Sequence, residues 1–229
     1  MPKVNVIGQA LLIAAFGAVL VVLYAGTAKA EGTSFRDNFD SFDSSMWIKS
    51  DHVLGRTDFD PANVVVSTNE QLRLRIPALT TDGAEIESQD YYGYGTYKAR
   101  IRTADAPSSI TGFYLYRSPD FYAEIDIEVY NDGTGKVDFV TYADGQRTHH
   151  VTKDFRFDPS ADFHTYSFDY NPGAVRFYID GNLRQVWTDG LPQGSMKLLV
   201  NTWFPSWLEG TPPPTTRTTR VDWISYEQL

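Results

Sequence analysis

The sequence predicts an all-β protein in which two antiparallel sheets pack face to face, as in a β-sandwich or a jelly roll. Short runs within residues 64–226 alternate apolar and polar side chains, which is the period of a β-strand. Segments containing Asp-Gly, Asn-Pro-Gly or Gly-Asn separate these runs and favour tight turns. No window after Glu31 has the 3.6-residue apolar spacing of an amphipathic helix. At 229 residues, the chain suits one such domain.

The first thirty residues have the features of a secretory signal peptide. A short basic start, Met1-Pro2-Lys3, precedes an uncharged stretch from Ala10 to Gly26, and Ala28-Lys29-Ala30 is typical of a cleavage site. We therefore predict a signal peptide at residues 1–30, a mature domain at residues 31–229, and secretion to the extracellular space. The alternative is an uncleaved leader that anchors the protein in a membrane, because the apolar stretch, extended backwards, is nearly long enough to span one.

The composition excludes several classes of function. The net charge is −9, and removal of the leader, with Lys3 and Lys29, would make it −11. An acidic protein is a poor candidate for binding nucleic acid or an anionic membrane surface, so we expect neither as a partner. The chain has no cysteine, which excludes disulfides, thiolate nucleophiles and zinc sites with cysteine ligands. Stability must then come from the apolar core of a protein that we expect to be monomeric.

The predicted strands follow from alternation, taken in chain order. Residues 64–66 are three valines, residues 72–76 read Leu-Arg-Leu-Arg-Ile, and residues 97–102 read Tyr-Lys-Ala-Arg-Ile-Arg. The same period recurs at residues 124–128, 137–140, 166–170, 175–179 and 221–226, and turn signals stand at residues 81–83, 131–133, 143–145, 171–173 and 180–182. Residues 211–216 have the composition of a linker, but the strand pattern resumes after them, so we predict a stiff surface loop inside the domain.

Residues 124–128, Glu-Ile-Asp-Ile-Glu, are the most informative of these strands. Alternation sends Glu124, Asp126 and Glu128 to one face and both isoleucines into the opposite layer. Three like charges along one strand face repel one another, and burial adds to the cost. One interpretation is a solvated acidic strand at the edge of a sheet. The apolar and aromatic residues on both sides of the segment instead favour a central strand whose acids have a function.

The spacing of the acids favours glycoside cleavage. Four residues of strand separate the Cα atoms of Glu124 and Glu128 by about 13 Å, and side chains that lean together bring their carboxyls to roughly 5–6 Å. That is the separation of the two acids in glycosidases that retain anomeric configuration. Asp126, between them, can share a proton with one and help to keep the other protonated. The alternative is a Ca²⁺ site, although calcium loops usually draw on Asp, Asn and backbone carbonyls around a glycine.

The same segment resembles the signature of glycoside hydrolase family 16, and further blocks extend the resemblance across nearly the whole mature chain. Residues 92–97, Tyr-Gly-Tyr-Gly-Thr-Tyr, resemble a strand entry in the bacterial β-1,3-1,4-glucanases (lichenases) of that family. The other matching blocks are residues 164–170, 177–181, 201–203 and 221–223. The resemblance implies a two-sheet antiparallel β-jelly roll of the concanavalin A-like type, with a concave face that binds a glycan.

The resemblance also assigns roles to individual residues. It implies that Glu124 is the nucleophile, Asp126 the assisting acid and Glu128 the general acid/base, with no cofactor required for the chemistry. The residues that it implies for binding the polysaccharide are Glu85, Tyr114, Tyr116, Tyr142, Asn201 and Trp203. Asp222 corresponds to a residue that helps to hold a structural Ca²⁺ on the convex face of lichenases, so a structural calcium ion is a further expectation.

The catalytic strand lacks the extra residue of laminarinase-like members. Lichenases, plant xyloglucan-active enzymes and fungal wall transglycosylases share this form, so the resemblance favours mixed-linkage glucan without excluding the other substrates. Two departures from the family pattern also bear on the substrate. Ala123 stands where members usually carry Asp or Asn, so a supporting hydrogen bond is expected to be missing. Glu87 occupies a position where lichenases tend to have a sugar-binding Arg, and a carboxylate cannot supply the donors of a guanidinium.

We therefore expect a secreted endo-β-glucanase that hydrolyses internal β-linkages of a glucan by a retaining, double-displacement mechanism. Its partner is then a polysaccharide substrate, with mixed-linkage β-1,3-1,4-glucan favoured. Two alternatives remain open at this stage: a transglycosylase of the same fold, which transfers the glycosyl group to a sugar instead of water, and a jelly roll that binds glycan without turnover.

Overall fold

The computed structural model describes residues 32–68 and 70–229. These residues form seventeen β-strands and one 3₁₀ turn at Pro61–Asn63, and they include no α-helix. The predicted signal peptide at residues 1–30 lies outside the described residues. Within the described part of the chain, no helix is long and apolar enough to cross a membrane.

In chain order the strands are β1 (Phe35–Asp37), β2 (Trp47–Lys49), β3 (Val53–Leu54), β4 (Thr57–Asp58), β5 (Val64–Val66), β6 (Leu72–Ile76), β7 (Ala84–Ser88), β8 (Gly95–Arg102), β9 (Ile110–Arg117), β10 (Ala123–Tyr130), β11 (Lys136–Ala143), β12 (Gln146–Asp154), β13 (His164–Asn171), β14 (Ala174–Ile179), β15 (Asn182–Trp187), β16 (Lys197–Trp203) and β17 (Arg217–Gln228).

Two large antiparallel sheets contain nearly all of these strands. The front sheet has the order β12-β11-β10-β9-β16-β7-β2, and the back sheet has the order β15-β14-β13-β8-β17-β6-β5, with β1 also paired to β17. The strands β3 and β4 form a separate hairpin. This architecture confirms the predicted two-sheet antiparallel fold.

The core lies between the two sheets and is built largely from aromatic and β-branched residues. Ring pairs bridge the layers: the centroids of Phe113 on β9 and Phe168 on β13 lie 5.3 Å apart, and those of Phe139 on β11 and Phe177 on β14 lie 5.0 Å apart. All four rings are essentially inaccessible to solvent. Because a shift of one residue would move this apolar set to the solvent face, burial fixes the register of each strand.

The Pro-rich segment is an internal loop, as predicted. Pro213 within it is buried and its carbonyl accepts a hydrogen bond from the backbone N–H of Leu79, 2.8 Å away. The segment leads directly into β17, which lies between β8 and β6 in the back sheet. The domain therefore continues through residues 211–216 to its last strand.

Candidate active site

The acidic strand is β10, the third of seven strands in the front sheet. It is hydrogen-bonded to β9 on one side and β11 on the other, so the interpretation of these residues as an edge strand is wrong. Ile125 and Ile127 are fully buried in the core between the sheets. Glu124, Asp126 and Glu128 consequently project from the other face of the front sheet, as the alternation predicted.

The register assembles other polar and aromatic residues around the acids. Tyr116 and Tyr142 flank Glu124 on the two neighbouring strands, and Tyr114 is the partner of Asp126 on β9. Glu128 has Gly112 on one side and Asp138 on the other. Directly opposed residues of an antiparallel pair share a face, so these side chains belong to the same site.

Burial and nearby negative charges raise the pKa of all three acids. Burial raises the pKa of Glu124 to about 7, assisted by the charge of Asp120 and opposed by a hydrogen bond from Asp126. Burial, followed by the charges of Glu124 and Glu128, raises the pKa of Asp126 well above its usual range. Burial, then the charges of Asp138 and Glu124, raises the pKa of Glu128 to about 8. The raised pKa of Asp126 favours the protonated form that can donate to Glu124, and a pKa of about 8 lets Glu128 retain a proton near neutral pH.

Glu85 is held as an acceptor by a buried network. Its Oε2 accepts hydrogen bonds from the hydroxyl of Tyr114 at 2.7 Å and from Nδ2 of Asn201 at 3.0 Å. The Oδ1 of Asn201 in turn accepts from the backbone N–H of Gly112 at 3.1 Å. The Oε1 of Glu85 is buried without a hydrogen-bond partner in residues 32–68 and 70–229, and Nε2 of His52 lies 3.9 Å from it. The structure thus brings Glu85, Tyr114 and Asn201 together as a unit.

Aromatic side chains lie at both ends of the row of acids. Near Glu124, the ring of Tyr142 stacks on the half-exposed ring of Phe121 with centroids 5.0 Å apart. Near the Glu128 end, the largely buried Trp203 makes an edge contact with Trp207, and the two ring centroids lie 5.3 Å apart. Trp207 is 61% exposed. Exposed rings suit the apolar faces of sugars. Sequence reasoning did not assign Phe121 or Trp207 to the site, because neither lies on a regular strand.

Tyr116 and the two departures from the family pattern have defined surroundings. The hydroxyl of Tyr116 donates to Oδ1 of Asp120 at 2.6 Å, beside Glu124. Ala123 packs in the core, on the face opposite to Glu124. Oε1 of Glu87 lies 3.1 Å from Nζ of Lys197, so a lysine from β16 supplies a cation next to the position where lichenases tend to have an arginine.

Asp222 is engaged in an ion pair. Its Oδ2 lies 2.6 Å from Nη1 of Arg100 on the neighbouring strand β8. In the part of the chain that the structure describes, no group of three or more His, Cys, Asp and Glu side chains is arranged to hold a metal ion. A calcium ion at Asp222 would have to compete with the guanidinium and draw on backbone or water ligands.

Comparisons with known proteins agree with this fold. Residues 55–225 match the family described as Glycosyl hydrolases family 16. The chain is similar to a beta-glucanase of Bacillus subtilis (strain 168), with 31% identity over 221 residues that cover 89% of this chain and 91% of the relative. A beta-glucanase of Paenibacillus polymyxa is also 31% identical, covering 90% of this chain and 93% of the relative.

Solved structures of beta-glucanases have the same fold as this chain. The Bacillus licheniformis beta-glucanase superposes with a TM-score of 0.80 at 27% identity, covering 86% of this chain and 99% of that chain. A prokaryotic beta-1,3-1,4-glucanase (lichenase) derived from a mouse hindgut metagenome superposes with a TM-score of 0.79 at 29% identity, covering 86% and 100%. The two-sheet architecture is thus the jelly roll that the resemblance implied.

Proposed function

Because the chain belongs to glycosyl hydrolase family 16 and is an endo-β-glucanase, we propose that it hydrolyses mixed-linkage β-1,3-1,4-glucan with retention of anomeric configuration. The observation that carries this proposal is the row of three acids on a central strand, in which Glu128 keeps its proton near neutral pH beside Glu124. A related solved structure is named as a β-1,3-1,4-glucanase, which supports the choice of substrate.

In the first step, Glu128 acts as general acid and Glu124 as nucleophile. Glu128 gives its proton to the oxygen of the scissile bond as that bond to the anomeric carbon breaks. A carboxylate oxygen of Glu124 attacks the same carbon and forms a covalent glycosyl-enzyme. The hydrogen bond that Asp126 donates to Glu124 favours the ionised nucleophile, since it opposes the rise in pKa that burial causes.

In the second step, Glu128 acts as general base. Esterification removes the charge of Glu124, and that charge is one of the causes that raise the pKa of Glu128. The pKa of Glu128 therefore falls when the intermediate forms, so the residue can accept a proton from the attacking water. Water then breaks the ester on the face that the leaving sugar occupied, and the configuration is retained.

We further propose that the enzyme is secreted. The basic start, the apolar stretch and the small residues at 28 and 30 support cleavage of a signal peptide, with residues 31–229 as the mature enzyme. An extracellular location would give the enzyme access to a polysaccharide too large to enter a cell.

A substrate screen tests the proposed function. We expect the protein to release reducing ends fastest from barley mixed-linkage glucan, more slowly or not at all from laminarin and xyloglucan. Proton NMR of the first products should show the β-anomer before mutarotation. Failure to cleave any of the three glucans would overturn the proposal, and initial release of the α-anomer would overturn the retaining mechanism. Transfer products in place of free reducing ends would indicate a transglycosylase.

A further inference from the structure

We propose that Asp138, anchored by Tyr130 and His150, is a positioning residue for the proton of Glu128 in both steps of the reaction. This inference rests on the proposed function, because it assigns a new part to the same site. It adds a fourth carboxylate, on a second strand, to the row of acids on β10.

The register places Asp138 directly beside Glu128. The two residues are Cα partners in the antiparallel pairing of β10 and β11, and Asp138 is 6% exposed. Opposed residues on one face of such a pair have Cβ atoms about 4.5–5.5 Å apart. Two carboxylates at this separation and with this burial destabilise each other unless one holds a proton.

One oxygen of Asp138 accepts a hydrogen bond from Tyr130 and lies close to the ring of His150. The hydroxyl of Tyr130 donates to Oδ2 at 3.1 Å, and Nε2 of His150, on the edge strand β12, lies 3.2 Å from the same oxygen. The buried Oδ1 has no hydrogen-bond partner in the described segments 32–68 and 70–229. A buried acceptor without a partner is costly, and from its place beside Glu128 we infer that it interacts with the proton of Glu128.

The charge of Asp138 differs from that of Glu124 in one respect that matters for catalysis. Both charges raise the pKa of Glu128, together with its burial. The charge of Glu124 disappears when the glycosyl-enzyme forms, whereas that of Asp138 persists. Asp138 therefore keeps Glu128 protonated for the first step and makes it a stronger base in the second, while Glu124 supplies the change between them.

Several other groups face Glu128 and have to be separated from Asp138 in a test. They are Glu124, Asp126 and Tyr130 on its own strand, Tyr114 on β9, Tyr142 on β11, Lys136 against the ring of Tyr130, and His150 on β12. Burial, with the nearby acids, raises the pKa of all three tyrosines above the usual value for tyrosine, so they do not titrate in the working range. His150 remains as the group that needs its own variant.

The test is the pH dependence of kcat/KM on mixed-linkage glucan for Asp138→Asn, which keeps the shape of the side chain and removes its charge. The basic limb of this profile is the fall in kcat/KM at high pH, which reports loss of the proton from Glu128. We expect the midpoint of this fall to lie about one pH unit lower in the variant than in the wild type. The control Glu227→Gln makes the same change of charge at an exposed position of β17 in the back sheet and should leave the limb in place. A uniform loss of activity with an unmoved basic limb in Asp138→Asn would overturn the inference.

Two further measurements separate Asp138 from His150 and from a purely structural role. His150→Gln keeps a polar side chain near Asp138 but cannot ionise, so the basic limb of its pH profile should lie at higher pH than that of Asp138→Asn. A limb that moves equally in both variants would assign it to the histidine and overturn the inference. An aryl glucoside with an activated leaving group needs no proton in the first step, so Asp138→Asn should form the glycosyl-enzyme from it at the wild-type rate. An equal loss on aryl glucoside and polysaccharide would indicate a structural role.

The design remains decisive if Asp138→Asn does not fold, as judged by circular dichroism, because Asp138→Gln and His150→Gln then carry the same comparison. It also distinguishes this inference from the proposed function. If the wild-type protein cleaves no glucan, both the proposed function and this inference are wrong. If the wild type is active but the basic limb of the pH profile lies at the same pH in Asp138→Asn, only the role of Asp138 is wrong.

Discussion

At the scale of single residues, Asp126 does two things that its neighbours cannot. Burial, and then the charges of both other members of the row, raises its pKa well above the usual range and favours its protonated form. Its hydrogen bond to Glu124 lowers the pKa of that residue and thereby favours the ionised form of the proposed nucleophile. The three residues form one coupled titrating system, in which the charge on each depends on the state of the others.

Replacing the nucleophile tests the assignment most directly. Glu124→Gln preserves the size of the side chain but cannot form the glycosyl ester, so kcat should fall by at least about 10³-fold while binding of glucan changes little. Stopped assays of reducing ends give kcat, and isothermal titration with a glucan oligosaccharide gives Kd. The exposed Glu227→Gln serves as the matched control. A rate within tenfold of the wild-type value would remove Glu124 from the chemistry.

At the scale of elements, the strands that the sequence predicts most clearly have one buried and one polar face. β6 alternates buried leucines and isoleucine with arginines, and β10 alternates isoleucines with acids, so period two identifies both. β9 was missed because its first four residues are buried on both faces, one face against the core and the other under the site. β12 was missed for the opposite reason, since it is an edge strand with no buried residue.

Some residues of the candidate site can be predicted from the sequence, and others depend on how the strands pair. The three acids follow from alternation alone, and the resemblance supplies Glu85, Asn201 and the tyrosines. The contacts of Asp138 with Tyr130 and His150 depend on the register between β10, β11 and β12, which no local pattern of the sequence specifies.

Gly112 on β9 couples the packing of an element to the site. A Cβ atom at this position would lie 2.7 Å from Oδ1 of Asn201, which accepts the backbone N–H of the same glycine. Gly112→Ala should displace Asn201 from Glu85 and raise KM for glucan about tenfold, with a smaller effect on kcat. Steady-state kinetics measure the split. Gly173→Ala is the control, because a Cβ there meets no atom within 4 Å; equal KM values in the two variants would contradict the prediction.

At the scale of the whole molecule, the sandwich buries acids on the front sheet at a cost to its stability. The carboxyls of Glu124 and Glu128 have raised pKa values of about 7 and about 8 in the folded protein, against 4.5 for an ordinary Glu. Between pH 4.5 and these raised pKa values, the two residues bind more protons in the folded state than in the unfolded chain. Their contribution to the free energy of unfolding is therefore fully present below pH 4.5 and is lost as the pH rises through about 7 and about 8. The large aromatic core between the sheets offsets this loss.

The sign of this effect can be measured with Glu128→Gln. The variant cannot ionise at this position, so its thermal midpoint should exceed that of the wild type by at least about 2 °C at pH 8 and differ little at pH 5. Differential scanning calorimetry at the two pH values gives both comparisons, and Glu209→Gln, an exposed position, is the control. If the wild type were as stable as Glu128→Gln at pH 8, burial of this acid would carry no cost.

The aromatic residues at both ends of the acidic row have a consequence for how a solution of substrate changes with time. Phe121 and Tyr142 lie at one end, and Trp203 and Trp207 lie at the other, so aromatic rings stand on either side of the proposed cleavage point. An enzyme that binds the polysaccharide on both sides of the scissile bond cleaves it near its middle as readily as near an end. The viscosity of the solution then collapses after a few cuts per molecule, long before small sugars accumulate.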